Sequence, residues 1–113
     1  MTLLIKVCNI TLYVIVLQKD MIKSFSDDET EKLYVTGKSK KFPVAVCKIG
    51  IRKLDYLNAV KTLKDLKSPP GNRLEALRGV YQGKYSIRIN DQYRIVFKFI
   101  GSDAYEVEIT DYH

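Results

Sequence analysis

Residues 85 to 109 constrain this chain more than any other stretch. Tyr85, Ile87 and Ile89 alternate with polar neighbours, so one side of an extended segment is apolar. Asn90-Asp91-Gln92 has the composition of a tight turn. Tyr93 to Ile100 is rich in β-branched and aromatic residues, Gly101-Ser102-Asp103 is a second turn, and Ala104 to Ile109 is a further extended run. Strands joined by loops this short pair antiparallel, because a parallel pairing needs a crossover of about a dozen residues or more. The segment is therefore a meander, and one face of it must be covered.

The cover comes from the preceding residues. Ile22 to Phe25 predicts a short first strand. Ser26 is the expected N-cap of a helix, with Glu29 three residues on for a capping box and Asp27 and Asp28 beside the positive helix end. That helix carries Leu33 and ends near Gly37, and Ser39-Lys40-Lys41 is a basic loop. Pro43 opens a longer helix to about Leu66, with Val46, Ile49, Leu54, Leu57, Val60 and Leu63 at helical spacing and Gly50 as an interruption. Ser68-Pro69-Pro70-Gly71-Asn72 ends the helical half. Two N-terminal helices packed on a small, mainly antiparallel sheet make an α+β domain. A chain of 113 residues holds one such domain with a modest core, and no repeat or linker divides it.

Residues 1–20 read differently. Val14-Ile15-Val16-Leu17 sits in a looser apolar stretch from Val7, broken by Asn9 and Thr11. This is short for a membrane helix, which needs roughly 20 apolar residues. A secretion signal is disfavoured because the stretch ends in Gln18-Lys19-Asp20 and not in small residues. The remaining readings are an additional strand or a start of translation at Met21.

The formal charge is +6, which favours a polyanion or an acidic protein as partner, although plain solubility is an equal explanation. The 2 cysteines, Cys8 and Cys47, form neither a disulfide scaffold nor a metal-ligand spacing, so a reducing, cytoplasmic compartment is the default. No P-loop, dinucleotide fingerprint, nucleophile elbow or zinc spacing is present, and no cofactor or metal is expected.

What the C-terminal third offers is acid–base and phosphate chemistry. An RNA strand can be cut by its own 2′-hydroxyl, given a base, cations for the phosphorane and an acid for the leaving 5′-oxygen. His113 is the single histidine, and imidazole is the side-chain type suited to proton transfer near neutral pH. Arg78, Arg88 and Arg94 can grip phosphate oxygens at two points. Glu75 and Asp111 can take or orient protons, and Tyr93 and Tyr112 offer rings for stacking. A single histidine excludes a two-histidine ribonuclease mechanism. Each residue also has an ordinary reading: a terminal histidine is usually a frayed end, strand arginines a solvated face, and tyrosines half-buried sheet residues.

Several segments carry a stronger signal together. They are Met21-Ile22-Lys23-Ser24-Phe25, Pro69-Pro70-Gly71-Asn72-Arg73-Leu74-Glu75-Ala76-Leu77, Tyr85 through Ile95, and Val107-Glu108-Ile109-Thr110-Asp111-Tyr112-His113. Through them residues 21–113 resemble the HigB toxins of the RelE/ParE superfamily, leaving residues 1–20 as an extension outside the family pattern. The resemblance implies a RelE-like fold and a ribosome-dependent mRNA endonuclease acting on A-site codons. It also implies neutralisation by a HigA-like helix-turn-helix antitoxin, with promoter DNA bound only through the complex, and no membrane role. The catalytic positions it implies are Glu75, Arg78, Arg94, Asp111, Tyr112 and His113, and Arg73, Lys84, Arg88 and Tyr93 are the expected RNA contacts. At Glu75 some relatives carry a histidine, so a base there is a carboxylate in this chain. Two rivals share the fold: a ParE-like module that inhibits DNA gyrase by binding it, and an inactive remnant that only binds antitoxin.

Overall fold

The computed structural model describes residues 22–111. The expectations for residues 1–20, Met21, Tyr112 and His113 lie outside the described residues. Within them, helix α1 spans Asp28–Thr36 and helix α2 spans Val44–Ala59. Strand β1 is Glu75–Ala76, β2 is Tyr85–Arg88, β3 is Tyr93–Ile100 and β4 is Asp103–Asp111. They form a four-stranded sheet in the order β1-β2-β3-β4, every neighbouring pair antiparallel. The expected meander is present, with β1 as an added strand ahead of it. Ile22 to Phe25 is not a regular strand: it makes two isolated parallel bridges to β4, at Ala104 and Val107.

The first helix is capped by Asp27, not Ser26. The Asp27 carboxylate accepts from the Glu29 amide at 3.4 Å and from Thr30 Oγ1 at 2.8 Å. Ser26 is already committed to β4, its amide donating to the Val107 carbonyl and its hydroxyl to the Glu106 carbonyl. Thr30 is fully buried, and its Oγ1 accepts the Ile109 amide at 2.9 Å. The cap of α1 and the backbone of β4 are thus one hydrogen-bonded unit. Gly37 ends the helix as expected, at φ 81°, where a side chain would be strained.

Helix α2 corrects two expectations. It stops at Ala59, where Val60 turns extended, and a separate 3-10 turn spans Leu63–Lys67. That turn has its own capping box, Thr62 with Asp65. The apolar spacing ran on because Leu66 is buried in the same core from a different element. Gly50 does not interrupt the helix. It is where α2 meets the sheet most closely: a Cβ there would stand 3.2 Å from Ile109 Cδ1.

The core lies between the helices and one sheet face. Leu33, Val46, Leu54 and Leu57 meet Ile87, Ile95, Phe97, Val107 and Ile109. Burying each such side chain stabilises the fold by about 1.5–3 kcal/mol. Because side chains alternate along a strand, Ser86, Arg88, Arg94 and Lys98 point to the other face. That face carries the candidate site.

Candidate functional site

Arg88 and Arg94 are direct register partners across β2 and β3. Like charges placed opposite each other in a sheet are destabilising, so the pairing needs compensation. Arg88 pairs with Asp91 in the β2–β3 turn, through Nη2 and Oδ1. The turn itself is set by Asn90, whose Oδ1 accepts from the Gln92 and Tyr93 amides at 2.9 and 2.8 Å. Arg94 lies flat across the sheet. Its Nε donates to Ser86 Oγ at 2.7 Å, and its Nη2 donates to the Arg73 carbonyl and stands 3.8 Å from Glu75 Oε1. Only 11 % of its side chain is exposed, so the guanidinium plane is held in place.

The Arg73 carbonyl is equally fixed. Arg73 follows the 3-10 turn Pro70–Asn72 with a left-handed φ of 44°. The buried Asn72 beside it donates Nδ2 to the Leu66 carbonyl at 3.2 Å. The result is an open cleft of ≈ 430 Å³ lined by Arg73, Glu75, Arg88, Asn90, Asp91 and Arg94. Three guanidiniums face two carboxylates there, a net positive concavity that suits an anion with several oxygens.

Four of the expected site residues therefore meet: Arg73, Glu75, Arg88 and Arg94. Others do not. Arg78 is exposed at the far end of β1, ahead of the 3-10 turn Gly79–Tyr81, and does not line the cleft. Lys84 is at the opposite end of β2, where it holds Glu106 at 3.3 Å together with Lys98. These two lysines, Lys84 first, keep the Glu106 carboxyl below its ordinary range. Tyr93 and Asp111 are register partners, whereas Arg94 pairs with Thr110, so Tyr93 and Asp111 leave the sheet on the side away from Arg94. Tyr93 packs edge-on against Phe42, 6.0 Å between ring centres, and Asp111 accepts from Gln92 Nε2 at 2.9 Å. Tyr112 and His113 lie outside the described residues.

One nearby cation had no sequence signal. Lys53 of α2 donates Nζ to the Arg88 carbonyl at 2.6 Å. Burial lowers its pKa, and Arg52, Arg88 and Arg94 lower it further. Helical spacing marks Lys53 only as one more polar position, because its partner is 35 residues away.

The family model described as the RelE-like toxin of the type II toxin–antitoxin system HigB matches residues 23–113. The chain belongs to the HigB-like toxin family. It is 38% identical over 85 residues to Toxin HigB-1 of Vibrio cholerae, covering 74% of this chain and 90% of that protein. It is 32% identical over 96 residues to Endoribonuclease HigB of Proteus vulgaris, covering 82% of this chain and all of that protein. Among solved structures, the YoeB–YefM complex from Staphylococcus aureus aligns with a TM-score of 0.49 at 22% identity, over 81% of this chain and 94% of that chain. Family membership makes this HigB-like protein the toxin of a type II pair, with an antitoxin as its partner, and its α+β architecture is the RelE-like one. No helix among the described residues is long and apolar enough to cross a membrane.

Proposed function

We propose that this HigB-like toxin is an endoribonuclease that cuts mRNA in the ribosomal A site. The observation that carries the reading is the cleft in which Arg73, Arg88 and Arg94 converge beside Glu75. The Proteus vulgaris relative, an endoribonuclease by name, supports the same activity. In the proposed reaction the 2′-oxygen of one ribose attacks the adjoining phosphorus, forming a 2′,3′-cyclic phosphate and releasing the 5′-oxygen. The 2′-hydroxyl proton goes to a base, and an acid returns a proton to the leaving oxygen. We assign the first role to Glu75, whose carboxylate stands 3.8 Å from the Arg94 guanidinium that would hold the phosphorane. Arg94 and Arg88 stabilise that charge, and a fixed, partly buried guanidinium does so without reorganising.

His113 acts as acid or base, with Asp111 as its orienter from the face of β4 opposite Arg94 and Tyr112 positioning the substrate. Arg78 and Lys84, away from the cleft, belong to a wider basic surface along which RNA binds. Residues 21–113 carry the toxin domain, and residues 1–20 are an extension that the activity does not need. The antitoxin is a HigA-like helix-turn-helix protein through which the complex reaches promoter DNA, and both partners act in the cytoplasm.

The test is cleavage of a defined mRNA on programmed ribosomes and of the same RNA free in solution, with plasmid supercoiling followed in expressing cells. Cleavage on ribosomes with normal supercoiling is expected. Intact mRNA with lost supercoiling would move the protein to the gyrase-inhibiting class, and efficient cutting of free RNA would remove the ribosome from the reading.

A further inference from the structure

A second hollow adjoins the arginine cleft. It measures ≈ 400 Å³ and is lined by Arg52, Lys53, Asp55, Tyr56, Pro69 and Asn72. The two concavities share a wall at two places. Asn72 lines one and the next residue, Arg73, lines the other. Lys53 lines one and is hydrogen-bonded to the backbone of Arg88, which lines the other.

The chemistry of this hollow has two halves. Arg52 and Lys53 are adjacent cations. Tyr56 and Pro69 line the other side, and the Tyr56 ring is anchored by its hydroxyl, whose one proton is shared between the carbonyls of Asp65, at 2.9 Å, and Ser68. Cations beside a flat apolar wall match a single nucleotide, whose phosphate is anionic and whose base has a π-face. An acidic peptide would use the cations but not the wall, and an apolar ligand would leave Lys53 uncompensated.

The position of Lys53 points the same way. It is half-buried among Arg52, Arg88 and Arg94, an arrangement that disfavours its charged form. Its Nζ is tied to a backbone carbonyl, that of Arg88, at 2.6 Å. A phosphate bound beside Arg52 and Lys53 would offset the repulsion among these cations.

We propose that the hollow beside α2 seats the nucleotide next to the scissile linkage, with Arg52 and Lys53 on its phosphate and the Tyr56–Pro69 wall against its base. The subsite rests on the reading of this toxin as an RNA-cleaving enzyme and extends it by one nucleotide.

The experiment uses 2′-O-methylated oligoribonucleotides, which cannot be cut because the attacking hydroxyl is blocked. A dinucleotide has one linkage and a trinucleotide two. Binding of each to the full-length toxin is measured by NMR titration of ¹⁵N-labelled protein. The trinucleotide is expected to bind roughly tenfold more tightly than the dinucleotide, the order of one charge-assisted phosphate contact. It alone should shift the Asn72 side-chain amide. Arg52→Ala combined with Lys53→Met should abolish that gain, so that this variant binds the trinucleotide no more tightly than the dinucleotide. Arg52→Ala alone, at an exposed position, keeps the test open if the double variant folds poorly, and should lose part of the gain. If the folded variants keep the full trinucleotide advantage, or if Asn72 does not respond, the subsite is overturned and the cleft alone binds RNA. If the parent binds neither oligomer, the subsite is overturned, whereas the RNA-cleaving reading beneath it fails only if mRNA on programmed ribosomes also stays intact.

Discussion

Arg94→Ala separates folding from chemistry most cleanly, because both contributions can be bounded. In the fold, Arg94 donates to Ser86 Oγ at 2.7 Å and to the Arg73 carbonyl. Hydrogen bonds from a charged donor are worth about 1.5–3 kcal/mol each. The Ser86 hydroxyl is fully buried, so truncation leaves it without this donor. Against that, removing one of two facing guanidiniums relieves roughly 0.2–1 kcal/mol of repulsion with Arg88. A net loss of about 2–6 kcal/mol is expected against the ~5–15 kcal/mol typical of a domain, so the rate is read on protein that the unfolding curve shows to be folded at 25 °C. In the reaction, a preorganised donor aimed at developing charge is worth on the order of 3 kcal/mol, roughly a hundredfold in rate. Arg94→Lys should recover only part of this, because one ammonium cannot hold both Ser86 and the Arg73 carbonyl and still meet the phosphate in a plane. Single-turnover cleavage on programmed ribosomes, with urea unfolding in parallel, reads both quantities. A folded Arg94→Ala protein that cleaves within about threefold of the parent would refute the role of the cleft in charge stabilisation.

Deleting His113 should slow cleavage but leave ribosome association, since the basic surface that holds RNA is intact; an unchanged single-turnover rate would transfer the proton to Glu75, Asp111 or Tyr112. A chain beginning at Met21 should fold and arrest growth as the full chain does, and insolubility of the short form alone would make residues 1–20 part of the fold. Asp27→Ala should cost about 1 kcal/mol through the lost N-cap, seen as a lowered urea midpoint, whereas Ser26→Ala should leave α1 capped. Glu106→Gln should matter most at neutral pH. The Glu106 carboxyl is held below its ordinary 4.5, so its stabilising contribution is complete above that value and is lost as pH falls through the lowered one. The gap between parent and variant in chemical denaturation should therefore close in acid.

The sequence was sufficient wherever short-range chemistry decides the backbone. Asn90 builds its turn from its own side chain, Gly37 supplies the left-handed residue that ends α1, and β-branched and aromatic residues mark β3 over the span it occupies. The resemblance in its motifs was likewise enough to place the family, and four residues of the cleft with it. What failed were choices between locally equivalent options. Ser26 and Asp27 are both good caps, and Asp27 takes the role because β4 claims Ser26. Leu63 and Leu66 continue the spacing of α2, yet they belong to a new turn, because periodicity records which residues are buried and not which element buries them. Gly50 reads as a helix weakness and is a packing contact with Ile109. The site divides in the same way. Residue types suggested phosphate chemistry in the C-terminal third, but only strand register set Arg88 against Arg94 and turned Tyr93 and Asp111 to the other face. Lys53 joined them through a bond spanning 35 residues. Local propensity acts over a few residues, whereas register and helix-to-sheet contacts are fixed when the whole core closes, so they exist only in the tertiary structure.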